Sequence, residues 1–489
     1  MNNLKSLCIA ASIVTMLSIS SSNASPWASP GDSSLRSDVE LLAHHGLISG
    51  PVNSWPMSWK QITRDFYKAD SMTLPTYVSH AFNRVRNKTP GEVNIKTKAY
   101  FATKVQSFRG FEDEARSKVE IKGTAEVNLD SASLHIEALY NDNENFNLDG
   151  SYLSQEIGNW SAYVGTVNRW WGPGQETTTM LSTNARPMPS IGIRRVTSEP
   201  FKTKWLSWMG PWDAEIFVSK MEKNRHVPEP IFVGMRLNFE PIKNFEVGLA
   251  RTLMLCGERR PCNFKSWSNG LIAIGDLDNA TSAEGFIEQP GNQLAMINLS
   301  YSFSLKENMN VKIYAEGTAE DVIIFLPYTY TRLLGVSFYG PMSEGGDQYR
   351  ITAEASDSTG SLVWFYGEHR KRIMYRHSIY KTGYRYHDKV IGSTIDSDSL
   401  YFSLKASLLK STGWEYSLKY QNILINMDSS YVNQLSPQRE RINSLGLNII
   451  AQTNWGKFQL DGNLMDNNIN TPLEDKVNFI FGLKWSIGF

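Results

Sequence analysis

VNFIFGLKWSIGF, residues 477–489, alternates almost without error. Val477, Phe479, Phe481, Leu483, Trp485, Ile487 and Phe489 fall on one side of an extended strand. Asn478, Gly482, Lys484, Ser486 and Gly488 fall on the other, and Ile480 alone breaks the polar side. A period of two with bulky apolar residues on one face predicts a strand with one greasy and one wet surface.

The same period runs back through the chain to about Val93. Trp212, Ala214, Ile216 and Val218 alternate with Asp213, Glu215 and Ser219. Ile297, Leu299, Tyr301 and Phe303 alternate with Asn298, Ser300, Ser302 and Ser304, and Leu400, Phe402, Leu404 and Ala406 with Tyr401, Ser403, Lys405 and Ser407. Strand after strand of this kind, with no helix between, predicts an all-β closed barrel, because closure removes the edges that so many strands would expose. Trp414, Trp455 and Tyr401 are placed for aromatic girdles at two bilayer interfaces. Short links near 241–244, 306–308, 410–413 and 453–456 separate long ones at 169–190, 256–291 and 427–441. That rhythm fits short periplasmic turns and long outward loops on a transmembrane barrel of roughly 18 to 20 antiparallel strands. The stretch 362–386 is the hardest to assign.

Composition is compatible. The 489 residues carry 49 basic and 49 acidic side chains, so net charge is zero and no charge run points to nucleic acid as a partner. Aromatics make up 12% and mean hydropathy is −0.33. Beyond the first two dozen residues no apolar run approaches the ~20 residues a membrane helix needs. Lys5, an apolar stretch over 7–19 and Ser22-Asn23-Ala24 predict a secretory signal peptide, 1–24, cut after Ala24. In an oxidising envelope Cys256 and Cys262 then predict a small disulfide, and no metal or other cofactor is expected.

Residues 25–91 have a helical period instead. Leu35, Val39 and Leu42 share a face, Ser58 can cap a helix from Trp59, and Val78, Phe82 and Val85 precede the Pro90-Gly91 break. A small periplasmic α-helical bundle thus precedes the barrel, 92–489. Adjacent His44 and His45 face different ways on a helix and read as structural.

The ending of the chain resembles the closing strand of bacterial outer-membrane barrels, where the aromatic side of the last strand and its terminal residue, here Phe489, serve as the sorting signal for the barrel assembly machinery. The segments Pro26-Trp27, Leu35-Arg36-Ser37-Asp38-Val39-Glu40-Leu41-Leu42, Trp55-Pro56-Met57-Ser58-Trp59, Asn168-Arg169-Trp170-Trp171-Gly172-Pro173-Gly174 and Asn184-Ala185-Arg186-Pro187-Met188-Pro189, in that order, resemble the Wzi-type capsule assembly proteins. The resemblance implies an outer-membrane barrel of about eighteen strands with a periplasmic helical bundle. It also implies a lectin-like role: holding capsular or related exopolysaccharide at the cell surface without covalent chemistry.

Sugars are bound by flat aromatic faces and by planar amide and guanidinium groups. The third outward loop is rich in these: Arg169, Trp170, Trp171, Gln175, Asn184 and Arg186. Arg259 and Arg260, within the cysteine loop, suit acidic polymers. The same residues could instead be girdle and pore-lining groups. His377-Ser378 or His369 could suggest a hydrolase, but neighbouring strand residues point to opposite faces, so His377 and Ser378 form no dyad as they stand. Glu112, Glu114, Asp396 and Asp398 lie in loops, where solvated charge is the ordinary explanation. A porin-like channel for sugars or oligosaccharides is the alternative, against which the helical unit counts. The expected partners are polysaccharide, outer-membrane lipid and the assembly machinery, and the expected state is a monomer.

Overall fold

The computed structural model describes residues 26–143, 145–272, 291–323, 326–360, 373–429, 433–469 and 477–488. The leader over 1–24, His369 and Phe489 lie outside these residues.

Eighteen antiparallel strands form one closed barrel. In chain order they are β1 Val93–Ala102, β2 Val119–Asn128, β3 Ala132–Asn141, and β4, which is interrupted as Asn145–Asn147 and Tyr152–Ile157. Next come β5 Trp160–Thr166, β6 Pro189–Arg195, β7 Trp212–Lys220, β8 Ile231–Ile242 and β9 Phe245–Leu255. Then follow β10 Gly291–Lys306, β11 Met309–Ile323, β12 Leu326–Pro341 and β13 Gln348–Asp357. The wall ends with β14 Leu400–Leu409, β15 Glu415–Ile425, β16 Glu440–Thr453, β17 Gly456–Met465 and β18 Asn478–Gly488. Each strand pairs with the next, and β18 closes on β1 through Gly482↔Ala102 to Gly488↔Lys96. Of the uncertain stretch 362–386, residues 362–372 lie outside the described residues, and 373–386 fall between β13 and β14.

The pleat sorts side chains as the alternation requires. Phe479, Phe481, Leu483, Leu404, Leu418, Ile297 and Ile216 are exposed on the outer wall, the surface a bilayer covers. Their neighbours turn into the lumen. Ile480 has a reason to break the pattern: it is buried with Phe108, Ile395, Tyr401, Ile423, Ile425 and Ile442 in an apolar cluster inside the barrel. Tyr401 is therefore no girdle residue; it faces inward and accepts a hydrogen bond from Gln421 Nε2 at 2.8 Å.

The three predicted helices are α1 Ser33–His44, α2 Trp59–Thr63 and α3 Thr76–Lys88. Asp32 caps α1 by accepting from Leu35 N, and Ser58 caps α2 by accepting from Gln61 N. Their apolar faces do pack together, with Leu35, Val39, Leu42, Ile62, Val78 and Val85 all buried. The unit does not hang free below the barrel: 26–91 is docked into the lumen at the end where the chain enters β1.

At this helical end most links are short, as expected. The exception is 196–211. At the other end the long links gather, and a fourth helix, α4 Phe264–Ile272, follows the Cys256–Cys262 disulfide. It lies on the outer wall of β8 and β9. There the outward Arg251 donates to its last carbonyls, Gly270 O at 2.6 Å and Leu271 O at 2.8 Å.

Candidate functional site

Inward carboxylates of the wall hold the lumen's contents by their backbone amides. Glu246 on β9 accepts from Val52 N at 2.9 Å and Asn53 N at 3.2 Å. Glu316 on β11 accepts from Gly174 N at 2.9 Å and Thr179 N at 2.8 Å, and Glu354 on β13 from Gln175 N at 2.7 Å, Glu176 N at 3.2 Å and Thr177 N at 3.0 Å. Buried backbone donors need such partners, and a charged acceptor makes the bond strong. The third loop, 167–188, therefore folds inward and meets the helical unit, with Trp170↔Trp55 and Trp171↔Ser54 paired as a two-residue sheet. Its tight turn requires glycine: at Gly172, φ is 138° and an added Cβ would sit 2.3 Å from Glu316 Oε1.

Helix α1 supplies the charges. Arg36 is fully buried and donates to Pro173 O at 2.8 Å and Gly174 O at 2.9 Å. Glu40 bonds Lys312 at 2.9 Å and Arg350 at 2.8 Å. Burial alone would raise the Glu40 carboxyl, but Lys312, Arg350 and Arg36 outweigh it and hold it well below the usual carboxylate range. Glu176 behaves alike: burial raises it, Lys405 and Lys419 at 3.2 and 3.0 Å prevail, and it is held down to about 2. Around these ion pairs the lumen keeps polar cavities, lined by Ser37, Glu112, Lys405, Ser417, Asn448 and Lys484 among others.

The predicted contact residues are divided by this arrangement. Trp170 and Trp171 are each 0% exposed. Trp170 Nε1 donates to Gly174 O at 2.9 Å and its ring meets Phe111; Trp171 meets Phe217 edge-on. Arg169 is buried against Glu215 at 2.9 Å, and Gln175 Nε2 donates to Glu40 at 3.0 Å. Arg169, Trp170 and Trp171 are thus packed inside the protein, while Gln175 is half-buried and lines the polar cavity beside Glu40. Arg186 is half-buried and bonded to Asp149 at 2.6 Å. Arg259 is exposed beside the disulfide, and Arg260 reaches the Tyr380 hydroxyl. Asp396 and Asp398 are buried, with Asp396 bonded to Arg385 at 2.5 Å, so they are not the solvated loop charges expected.

Sequence reading missed the segment 373–399, which ties the loop end together. Asn184 Nδ2 donates to Val390 O at 2.9 Å, the Thr394 hydroxyl bonds Arg109 N at 3.0 Å, and Tyr380 Oη donates to Cys256 O at 2.9 Å. On the far side Asn433 Nδ2 donates to Ser397 O at 2.8 Å. A pocket opens between these loops, lined by Ser107, Asn184, Asp388, Lys389, Thr394 and Gln434. Lys389, Asp388 and Gln434 are exposed, and Lys389 has no ion pair among the described residues. The only available signal was the density of Gly, Asp and Ser over 383–399, which marks a tight loop but not its place.

Comparison with known proteins places this geometry. The family model described as capsule assembly protein Wzi matches residues 86–478. A Klebsiella pneumoniae protein described as an uncharacterised 55.8 kDa protein in the cps region is 25% identical, over 97% of this chain and 93% of its own. A solved Escherichia coli structure, described as Wzi, an outer membrane protein involved in group 1 capsule assembly and a carbohydrate binding β-barrel, superimposes with a TM-score of 0.81. It is 22% identical and covers 96% of this chain and 99% of that one.

Proposed function

The chain belongs to the Wzi capsule assembly family, and from that premise we propose that it holds capsular or related exopolysaccharide at the cell surface by non-covalent attachment. The barrel sits in the outer membrane as a monomer, the helical unit toward the periplasm and the long loops outward. Phe479, Phe481, Leu483, Trp485, Ile487 and Phe489 form the signal read by the barrel assembly machinery.

The observation that carries this reading is the filled lumen. The helical unit and the third loop are bonded to each other and to the wall across the barrel, which leaves the porin-like alternative without support. Polymer then meets the loop end, where the pocket of Asn184, Asp388, Lys389, Asp396 and Gln434 offers amide groups, two carboxylates, of which Asp396 is held by Arg385, and one ammonium. Such groups hydrogen-bond hydroxyls and pair with acidic sugars. Arg259 adds an exposed cation at the same end of the barrel.

The test is retention in a deletion strain, with cell-bound and shed polymer measured beside the parent. Polymer made but shed, and recaptured by the wild-type chain but not by the N184A/K389A/Q434A variant, is the expected result. Unchanged retention after deletion would overturn the attachment role. Full recapture by the triple variant would overturn the pocket alone.

A further inference from the structure

The link 196–211 is longer than any other described link at the helical end, and it folds back over the outer wall instead of turning. Its base is fixed from three sides. Asn159 Oδ1 accepts from Thr197 N at 2.8 Å, Arg64 donates to Ser198 O at 2.8 Å, and Ser198 N donates to Gln61 Oε1 at 2.7 Å. Gly210 makes the return turn with φ 65°, and an added Cβ there would lie 2.0 Å from Glu240 O.

The body of the link covers two outward aromatics, Trp212 on β7 and Phe239 on β8, which face each other in register. Phe201 stacks on Trp212 at 4.4 Å, the Arg195 guanidinium lies 3.8 Å from the same ring, and Trp208 meets Phe239 edge-on at 5.7 Å. Beyond these contacts Trp205 is 88% exposed and Trp208 61%, with Leu206 beside them. Lys202 and Lys204 are exposed in the same segment, against the single carboxylate Glu199. Two exposed tryptophans are costly in water, and here they continue the apolar outer wall at its lower rim.

We propose that 201–208 is a membrane foot that binds phospholipid of the periplasm-facing leaflet, the indoles at the level of the ester groups and Lys202 and Lys204 on the phosphates. Amphipathic rings favour that interface, and lysines near an anionic surface add to the attraction. The inference rests on the outer-membrane reading above. It gives the barrel one sector, β6 to β8, with an extra hold on the bilayer.

The full chain carrying W205C is spin-labelled and placed in nanodiscs of phosphatidylethanolamine and phosphatidylglycerol. Cys256 and Cys262 are bonded to each other, so the new thiol is the free one within 26–488. Collision rates with oxygen and with a nickel chelate are compared with labels at E307C, in a short turn at the same end, and L404C, on the outer wall. The expected result is a W205C label several-fold less accessible to the chelate than E307C and close to L404C, with protection reduced in the K202E/K204E background. A W205C label as accessible as E307C, while L404C stays protected, overturns the foot. An accessible L404C label would instead overturn the membrane reading on which the foot depends. Cross-linking in cells from a photoreactive residue at 205 to a protein, with no lipid adduct, also overturns the proposal.

Discussion

The two halves of the lumen are filled by different physics. Along β5 to β13 the third loop and the helical unit meet the wall through buried rings and through carboxylates that grip backbone amides. Along β14 to β18 and β1 to β3 the wall presents lysines paired with Asp113, Glu137 and Glu176 around polar cavities. The first half is a seat and the second a charged margin. What differs is the kind of neighbour: inward carboxylates grip backbone amides in one half, and inward lysines pair with carboxylates beside polar cavities in the other.

The sharpest way to break this contrast is to empty the seat. Trp170→Ala and Trp171→Ala should each cost roughly 3–5 kcal/mol, because each removes a fully buried ring from a site that cannot collapse. The readout is loss of the heat-resistant folded form in detergent. Normal heat resistance would show that the loop is not part of the scaffold.

Acid should act next, through the carboxylates that are held down. Glu176 and Glu40 are charged in the folded chain below the pH at which they protonate when unfolded. Their stabilisation is complete above about pH 4.5 and is lost as the pH falls toward 2. Wild-type barrel should therefore be more heat-resistant than E176Q at pH 7, and the advantage should shrink steadily below pH 4.5. An advantage that does not change with pH would remove the ion pairs from the account. Smallest of all, Lys98→Ala breaks a half-solvated pair with Asp113 and should shift the folded fraction by less than about 1 kcal/mol, measured in the same assay.

The wall was legible because alternation reports directly which side chains leave water for lipid. Phe479, Phe481 and Leu483 lie outward where the period puts them, and Ser58 caps the helix that begins beside it; the Asp32 cap of α1 comes from the structure. The seat was not legible. Lys312, Glu316 and Glu354 occupy polar-face positions whose residue types are equally at home beside water, and their partners lie far away in sequence. The third loop could be read either way for the same reason. Tryptophan and arginine suit a sugar platform and a buried loop core alike, and the carboxylates that grip its amides, Glu316 and Glu354, carry no mark of that role in the sequence. Tyr401 and Ile480 were misplaced by lumen packing, which follows from the loops and not from the strand.

The Glu40 ion pairs also constrain the order in which the molecule can be made. Glu40 waits for Lys312, 272 positions later, and for Arg350, 310 positions later, so helix α1 lacks these partners until β11 and β13 are both placed, one on each side of β12. Long-range closure of this kind is slow, since chain entropy must be lost before the contacts reward it. In the interval Val39, Leu42 and Val78 have only one another to cover them. The segment synthesised early is thus secured by these ion pairs only once the chain as far as Arg350 is in place.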